Sequence, residues 1–185
     1  SGPEGVGRKK TAKVFIKESS VINKIKGLYI MGGIGEGKGN ITEHAEFNFW
    51  VDPDAADIVL NSNIEIKMIA WDTTQIYGYL NKDNFNDIEK IGTLLSKFSI
   101  DIQRRGLEYY KIKYNEHKID LADPLAMAVM INESGTEYKI CKIKVVLKGE
   151  ERGKDIIRFT EKGNIKLASK ISRSNFLNTL KKSLV

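Results

Sequence analysis

Apolar positions along this chain recur in two spacings, helical stripes and short unbroken runs, and their succession sketches a fold. Residues 11–26 place Val14, Phe15, Val21, Ile22 and Ile25 between charges, which predicts a helix broken near Ser19-Ser20 and ending at Gly27. Residues 28–31 read as a short buried strand and 32–39 as a glycine-rich loop. Asp52-Pro53 opens a predicted helix through about residue 61, and 64–71 form the next strand. Residues 84–103 are expected to be one helix, with Ile88, Ile91, Leu94, Leu95 and Phe98 on its apolar face. A helix over 123–132, strands over 138–147 and 156–159, and a terminal helix over 174–184 behind a serine cap complete the pattern. Strand, loop, helix, strand is the grammar of an α/β fold, a mostly parallel open sheet flanked by helices. There is no internal repeat, low-complexity tract or evident linker, so 1–185 is read as one domain.

Composition adds bounds. The 185 residues are 41% hydrophobic and 29% charged, ordinary for a globular domain with a sizeable core. No apolar run approaches the roughly 20 residues that span a bilayer, and residues 1–10 lack the apolar centre of a signal peptide, so a cytoplasmic address and no membrane partner are expected. The single cysteine, Cys141, sits in an alternating run and reads as a buried thiol rather than a nucleophile. The net charge of +6 is concentrated over 139–185, with 13 Lys/Arg against 4 Asp/Glu, which raises nucleic-acid binding. Those lysines alternate with apolar residues, as in Lys139-Ile140-Cys141-Lys142-Ile143-Lys144, so a solvated strand face is the preferred reading.

In open parallel sheets ligands gather beyond the carboxyl ends of the strands, which puts Met31, Gly32, Gly33 and Asp72 on one edge. Met31-Gly32-Gly33 is followed in order by Gly39-Asn40, Ala45-Glu46-Phe47-Asn48 and Val51-Asp52-Pro53, and much later by Asp123-Pro124-Leu125-Ala126-Met127-Ala128. This ordered set resembles the inosine-uridine nucleoside hydrolases. The resemblance covers the later part of that family's chain. The aspartate-rich strand-to-helix turn with which the family begins has no counterpart, and residues 4–10 depart from its pattern. Either a segment has been replaced, or the N-terminal half resides on another chain or was removed.

The resemblance implies hydrolysis of the N-glycosidic bond of purine or pyrimidine ribonucleosides to free base and ribose. That chemistry needs a stabilised cation-like ribose, a positioned and activated water, and a way to neutralise the departing base. By resemblance Met31, Asn40, Glu46 and Asn48 bind the ribose, and Asp123 and Asn40 are the candidate catalytic residues. If 46–48 is extended, Glu46 and Asn48 project to the same side. The plainer reading makes Asn40 a turn residue, Glu46 a surface acid and Asn48 a helix starter. Calcium is the implied cofactor, with Asp123 and the Ser1 carbonyl as this chain's ligands. A calcium ion takes 6 to 8 oxygens, so further carboxylates have to come from elsewhere. Asp123 before Pro124 is equally a helix cap. The histidine that many family members place before that aspartate is Ala122 here, and His44, inside the sugar motif, is either its substitute or an exposed loop residue. Asp72 reads as a hydrogen-bonding residue at the rim. Phe49 and Trp71 read as core, and Tyr109 and Tyr110 as candidate base-stacking partners. The implied partners are a ribonucleoside and either an N-terminal partner chain or further copies. The alternative is a catalytically silent binding or assembly subunit.

Overall fold

A computed structural model describes residues 6–115 and 117–185. In chain order its elements are α1 (Val6–Lys17), a 3-10 helix (Ser19–Lys24), β1 (Leu28–Met31), α2 (Phe47–Val51), α3 (Pro53–Leu60), β2 (Ile66–Ile69), α4 (Trp71–Tyr77), β3 (Tyr79–Asn81), α5 (Lys82–Glu89), α6 (Leu94–Tyr114), β4 (Lys118–Asp120), α7 (Ala122–Ile131), β5 (Glu137–Val145), β6 (Asp155–Phe159), β7 (Ile165–Lys170) and α8 (Arg173–Ser183). The chain groups into two compact units, 1–73 with 137–170, and 74–136 with 171–185. Among the described residues no helix is long and apolar enough to cross a membrane.

The first unit is built on a five-stranded sheet in the order β1-β2-β7-β5-β6. β1 pairs parallel with β2, Leu28 opposite Ile66 and Met31 opposite Ile69, and β2 pairs parallel with β7. β5 then runs antiparallel to both β7 and β6. The α/β sheet flanked by helices is therefore as expected, with its parallel half at β1-β2-β7. Ile66, Met68 and Ile69 of β2 are buried, as the near-continuous apolar run of an internal parallel strand requires. In β5, Cys141, Ile143 and Val145 face the core while Lys142 and Lys144 face water, which accounts for the basic run. Phe15, Phe49, Val59, Leu60 and Leu167 complete this core. The Cys141 thiol is pushed up to about 11 by burial. Asp52 caps α3 by accepting from the Ala55 N–H at 3.1 Å, with Pro53 in the first turn.

The second unit packs α5 to α8 around the short antiparallel pair β3-β4, with Leu80, Phe85, Ile88, Ile100, Ile119, Leu125, Val129 and Phe176 buried. The single helix expected over 84–103 is two helices. Gly92, at φ 75°, ends α5, and Thr93 caps α6 by accepting from the Ser96 N–H. The break rotates the second helix, so Ser96 and Ile100 face inward while Leu94 (84%) and Phe98 (63%) are exposed. Leu121 precedes α7 at the N-cap position and supplies no side-chain cap, so Asp123 lies in the first turn and is not the cap the sequence suggested. Ser172 caps α8. The guanidinium of the next residue, Arg173, stacks 3.5 Å from the Tyr79 ring centre and donates to the carbonyls of Tyr77 and Tyr79 and to Asn84 Oδ1.

Candidate functional site

The loop after β1 continues the sheet pairing beyond the strand. Gly32 N–H donates to the Ile69 carbonyl, and the N–H groups of Trp71 and Asp72 donate to the carbonyls of Gly33 and Ile34 at 2.9 and 3.1 Å. Met31, Gly32, Gly33 and Asp72 thus share the carboxyl edge, as the strand order predicts. Gly33 has φ 73°, and a Cβ there would lie 2.5 Å from Met68 Cε and 2.9 Å from Asp155 Oδ2. Only glycine fits.

Four consecutive amides of this loop donate to carboxylates. Gly33 N–H reaches Glu46 Oε2 at 3.0 Å, and Ile34 N–H reaches both oxygens of Asp155 at 3.0 and 3.1 Å. Gly35 N–H reaches Asp155 Oδ2 at 3.1 Å, and Glu36 N–H reaches Asp72 Oδ2 at 2.8 Å. Asp72 Oδ1 accepts from Thr73, so Asp72 is a hydrogen-bonding residue at the rim. Glu46 and Asp155 are 2% and 8% exposed. Burial holds the Asp155 carboxyl above the usual aspartate range against the pull of the two loop amides, and the charge of Asp72 adds to the rise.

Glu46 is also the N-cap of α2, accepting from the N–H groups of Asn48 at 2.7 Å and Phe49 at 3.2 Å. The 46–48 segment is therefore a helix start and not the extended stretch considered from the sequence. Asn48 Nδ2 lies 3.5 Å from the Met31 carbonyl and 3.2 Å from Met31 Sδ. Asn40 Oδ1 accepts from the Phe47 N–H at 2.8 Å. Gly39 is packed so closely on the carbonyls of Thr42 and Ala45 that no side chain fits. In the first unit Asn48 thus links Glu46, through the helix cap, to Met31, through its side-chain amide, and Asn40 holds the same segment through the Phe47 N–H, with Phe49 buried. His44 is exposed, its Nδ1 3.9 Å from Glu151 Oε1.

Two contributors were not legible in the sequence. One is Asp155, whose only signal is a carboxylate at an inward-facing strand position opposite Val145. The other is Arg152, which donates to the carbonyls of Trp50, Val51 and Leu147.

In the second unit Asp123 is exposed in the first turn of α7, next to Ala122. Tyr109 and Tyr110 meet edge to face at 6.2 Å, and the Tyr110 hydroxyl donates to Asp120 Oδ2 at 3.4 Å. Ser1 lies outside the described residues. Among the described residues no group of three or more His, Cys, Asp or Glu side chains is placed to hold a metal ion. Asp123 by itself does not make a calcium site, which needs several oxygens.

A family model described as "Inosine-uridine preferring nucleoside hydrolase" matches residues 10–178. The chain is 28% identical over 138 residues to a probable uridine nucleosidase of Oryza sativa subsp. japonica, covering 74% of this chain and 40% of that protein. It is 28% identical over 137 residues to the inosine-uridine preferring nucleoside hydrolase of Crithidia fasciculata, covering 72% and 42%. Among solved structures, a plant nucleoside hydrolase superposes with a TM-score of 0.89 at 21% identity, over 96% of this chain and 59% of the other. A purine-preferring ribonucleoside hydrolase from Gardnerella vaginalis gives 0.86 at 25% identity, over 96% and 57%. The chain therefore spans about two fifths of the length of the curated relatives it matches. Because the family model covers most of the chain and the motifs stand in order along it, the chain belongs to the inosine-uridine preferring nucleoside hydrolase family.

Proposed function

We propose that this chain supplies the ribose-binding edge of a ribonucleoside hydrolase that cleaves the N-glycosidic bond to free base and ribose. The observation that carries the reading is the bonded cluster of Met31, Asn40, Glu46 and Asn48 at the carboxyl end of β1, inside the matched residues. Oxygen and amide groups of this kind stabilise a ribose as positive charge develops on it. Met31 and Asn48 face the sugar, Asn40 and the buried Glu46 complete the hydrogen-bonding set, and Asp123 is the second catalytic candidate. The relatives' shared description as hydrolases or nucleosidases favours this over a silent subunit.

Calcium binding through Asp123 and Ser1 belongs to the same proposal and requires carboxylates from another segment or chain. A cytoplasmic setting, and assembly with a partner chain or with further copies, belong to it as well. The test is titration of inosine, uridine and ribose into the chain, followed by a reducing-sugar assay with and without the N-terminal portion of a relative and calcium. Saturable nucleoside binding, with ribose released only in the supplemented mixture, is expected. No nucleoside binding in either preparation overturns the reading.

A further inference from the structure

We propose that Asp155 is a positioning residue for the nucleoside edge, holding the Met31–Gly35 loop in register from the far end of the sheet. This rests on the ribonucleoside reading above. Asp155 opens β6, about 120 residues along the chain from the loop, and its two oxygens take the N–H groups of Ile34 and Gly35. The segment that delivers it is anchored. Val146 and Lys154 close the β5–β6 connection by backbone bonds, and Gly153, at φ 86°, lies so close to α2 that a Cβ would be 2.6 Å from Trp50 Cα. Arg152 donates to the carbonyls of Trp50 and Val51 at 3.1 and 3.3 Å, which fixes the carboxyl end of α2. Glu46 fixes the amino end of the same helix and reaches Gly33.

The loop that follows Met31 and the helix that carries Asn48 are thereby tied to one hairpin. Arg152 holds the helix and Asp155 holds the loop. The 3.2 Å approach of Asn48 Nδ2 to Met31 Sδ depends on both. Removing the Asp155 acceptor leaves two buried or half-buried amides without a carboxylate and frees the loop to rotate about Gly33 and Gly35, whose backbones lie in the left-handed region. A misplaced sugar contact weakens binding without any loss of a group that touches the sugar.

The experiment compares wild type, Asp155→Asn and Ile143→Val, the last a core substitution in β5 opposite Ile157 that removes no hydrogen-bonding group. Inosine is titrated into each 185-residue chain, and amide hydrogen exchange is followed by NMR. Asp155→Asn is expected to weaken inosine binding at least tenfold and to speed exchange at Ile34 and Gly35 at least tenfold, with Met68 and Ile69 unchanged. Ile143→Val is expected to lower the melting temperature and leave both readouts as in wild type. Should Asp155→Asn not fold, Asp155→Ser, which retains one acceptor and buries no charge, takes its place. Inosine affinity within twofold of wild type, or unchanged Ile34 and Gly35 exchange, overturns the inference. A wild-type chain that binds no inosine sinks the nucleoside reading and this inference with it, whereas wild-type binding with an unchanged variant sinks this inference alone.

Discussion

Replacing Glu46 by alanine tests whether the sugar motif is also a structural joint. From the sequence alone Glu46→Ala reads as a loss of turnover, through a lost hydrogen bond to ribose, with little effect on folding. The structure puts that side chain at 2% exposure with three N–H donors on it, from Gly33, Asn48 and Phe49. Alanine removes the α2 cap, with its bonds to Asn48 and Phe49, at about 1 kcal/mol. It also leaves the Gly33 amide buried without a carboxylate, at about 1 to 3 kcal/mol. Partial rescue by entering water lowers the sum, so about 3 kcal/mol is the expected loss. In a chain of this size 1 kcal/mol moves the melting temperature by about 2 to 4 °C, so the expected fall is about 6 to 12 °C. Differential scanning calorimetry reads it directly, and far-UV circular dichroism confirms that the variant is folded at 10 °C. A variant that melts within about 2 °C of wild type refutes the argument, since three amides would then have been satisfied at no cost.

Other substitutions separate the remaining roles. Asn48→Ala, which removes a half-buried side chain whose recorded contacts are with Met31, is expected to cost about 1 kcal/mol in stability by thermal melting and to weaken inosine binding in the titration. Asp123→Asn removes an exposed first-turn charge and no cap bond, so its stability cost stays below about 1 kcal/mol. Calcium binding by a reconstituted enzyme, measured by calorimetric titration, should nevertheless be lost. Because the folded state holds the Asp155 carboxyl above its ordinary 3.8, the native chain keeps a proton that the unfolded chain has released. The stabilisation is complete below 3.8 and is lost as pH rises through the raised value, so wild type should lose stability relative to Asp155→Asn as pH is raised above 3.8 in parallel melts. Cys141, buried and pushed up to about 11, should resist iodoacetamide at pH 8 in the native protein and react fully in denaturant, as read by mass spectrometry.

What was legible in the sequence follows from the range of the forces involved. Local signals gave β1, β2 and the Asp52-Pro53 start of α3, because a buried strand and a capped helix are written in a few consecutive residues. They failed at β3 and β4, three residues each, which are too short to show a period. They failed at β7, where Ala168-Ser169-Lys170 carries little strand preference and the pairing with β2 and β5 decides. The division of α5 from α6 was readable at Gly92-Thr93, a helix stop followed by a cap, yet the apolar spacing across the break pointed the other way. Glu46 shows a different limit. Its residue type and spacing mark a motif, but burial is a tertiary property, and only the fold shows that its carboxylate serves the loop and helix α2 at once.

The same carboxylates bear on what the edge is built to receive. A run of backbone N–H groups in a glycine-rich loop at a strand end is ordinarily a place where a phosphate is held. Here the amides of Gly33, Ile34, Gly35 and Glu36 are taken by Glu46, Asp155 and Asp72, so the loop meets any ligand with its donors committed and carboxylates close by. An anion brought to this edge finds no amide cradle and meets like charge. On the proposed reading an uncharged sugar would be met instead by side chains such as Asn48. That reading expects a nucleoside to be preferred to a nucleotide, and competition makes the point measurable. Inosine should displace bound uridine from the chain, while inosine 5′-monophosphate at the same concentration should not, and equal displacement by the two would show that the carboxylates leave the edge open to phosphate.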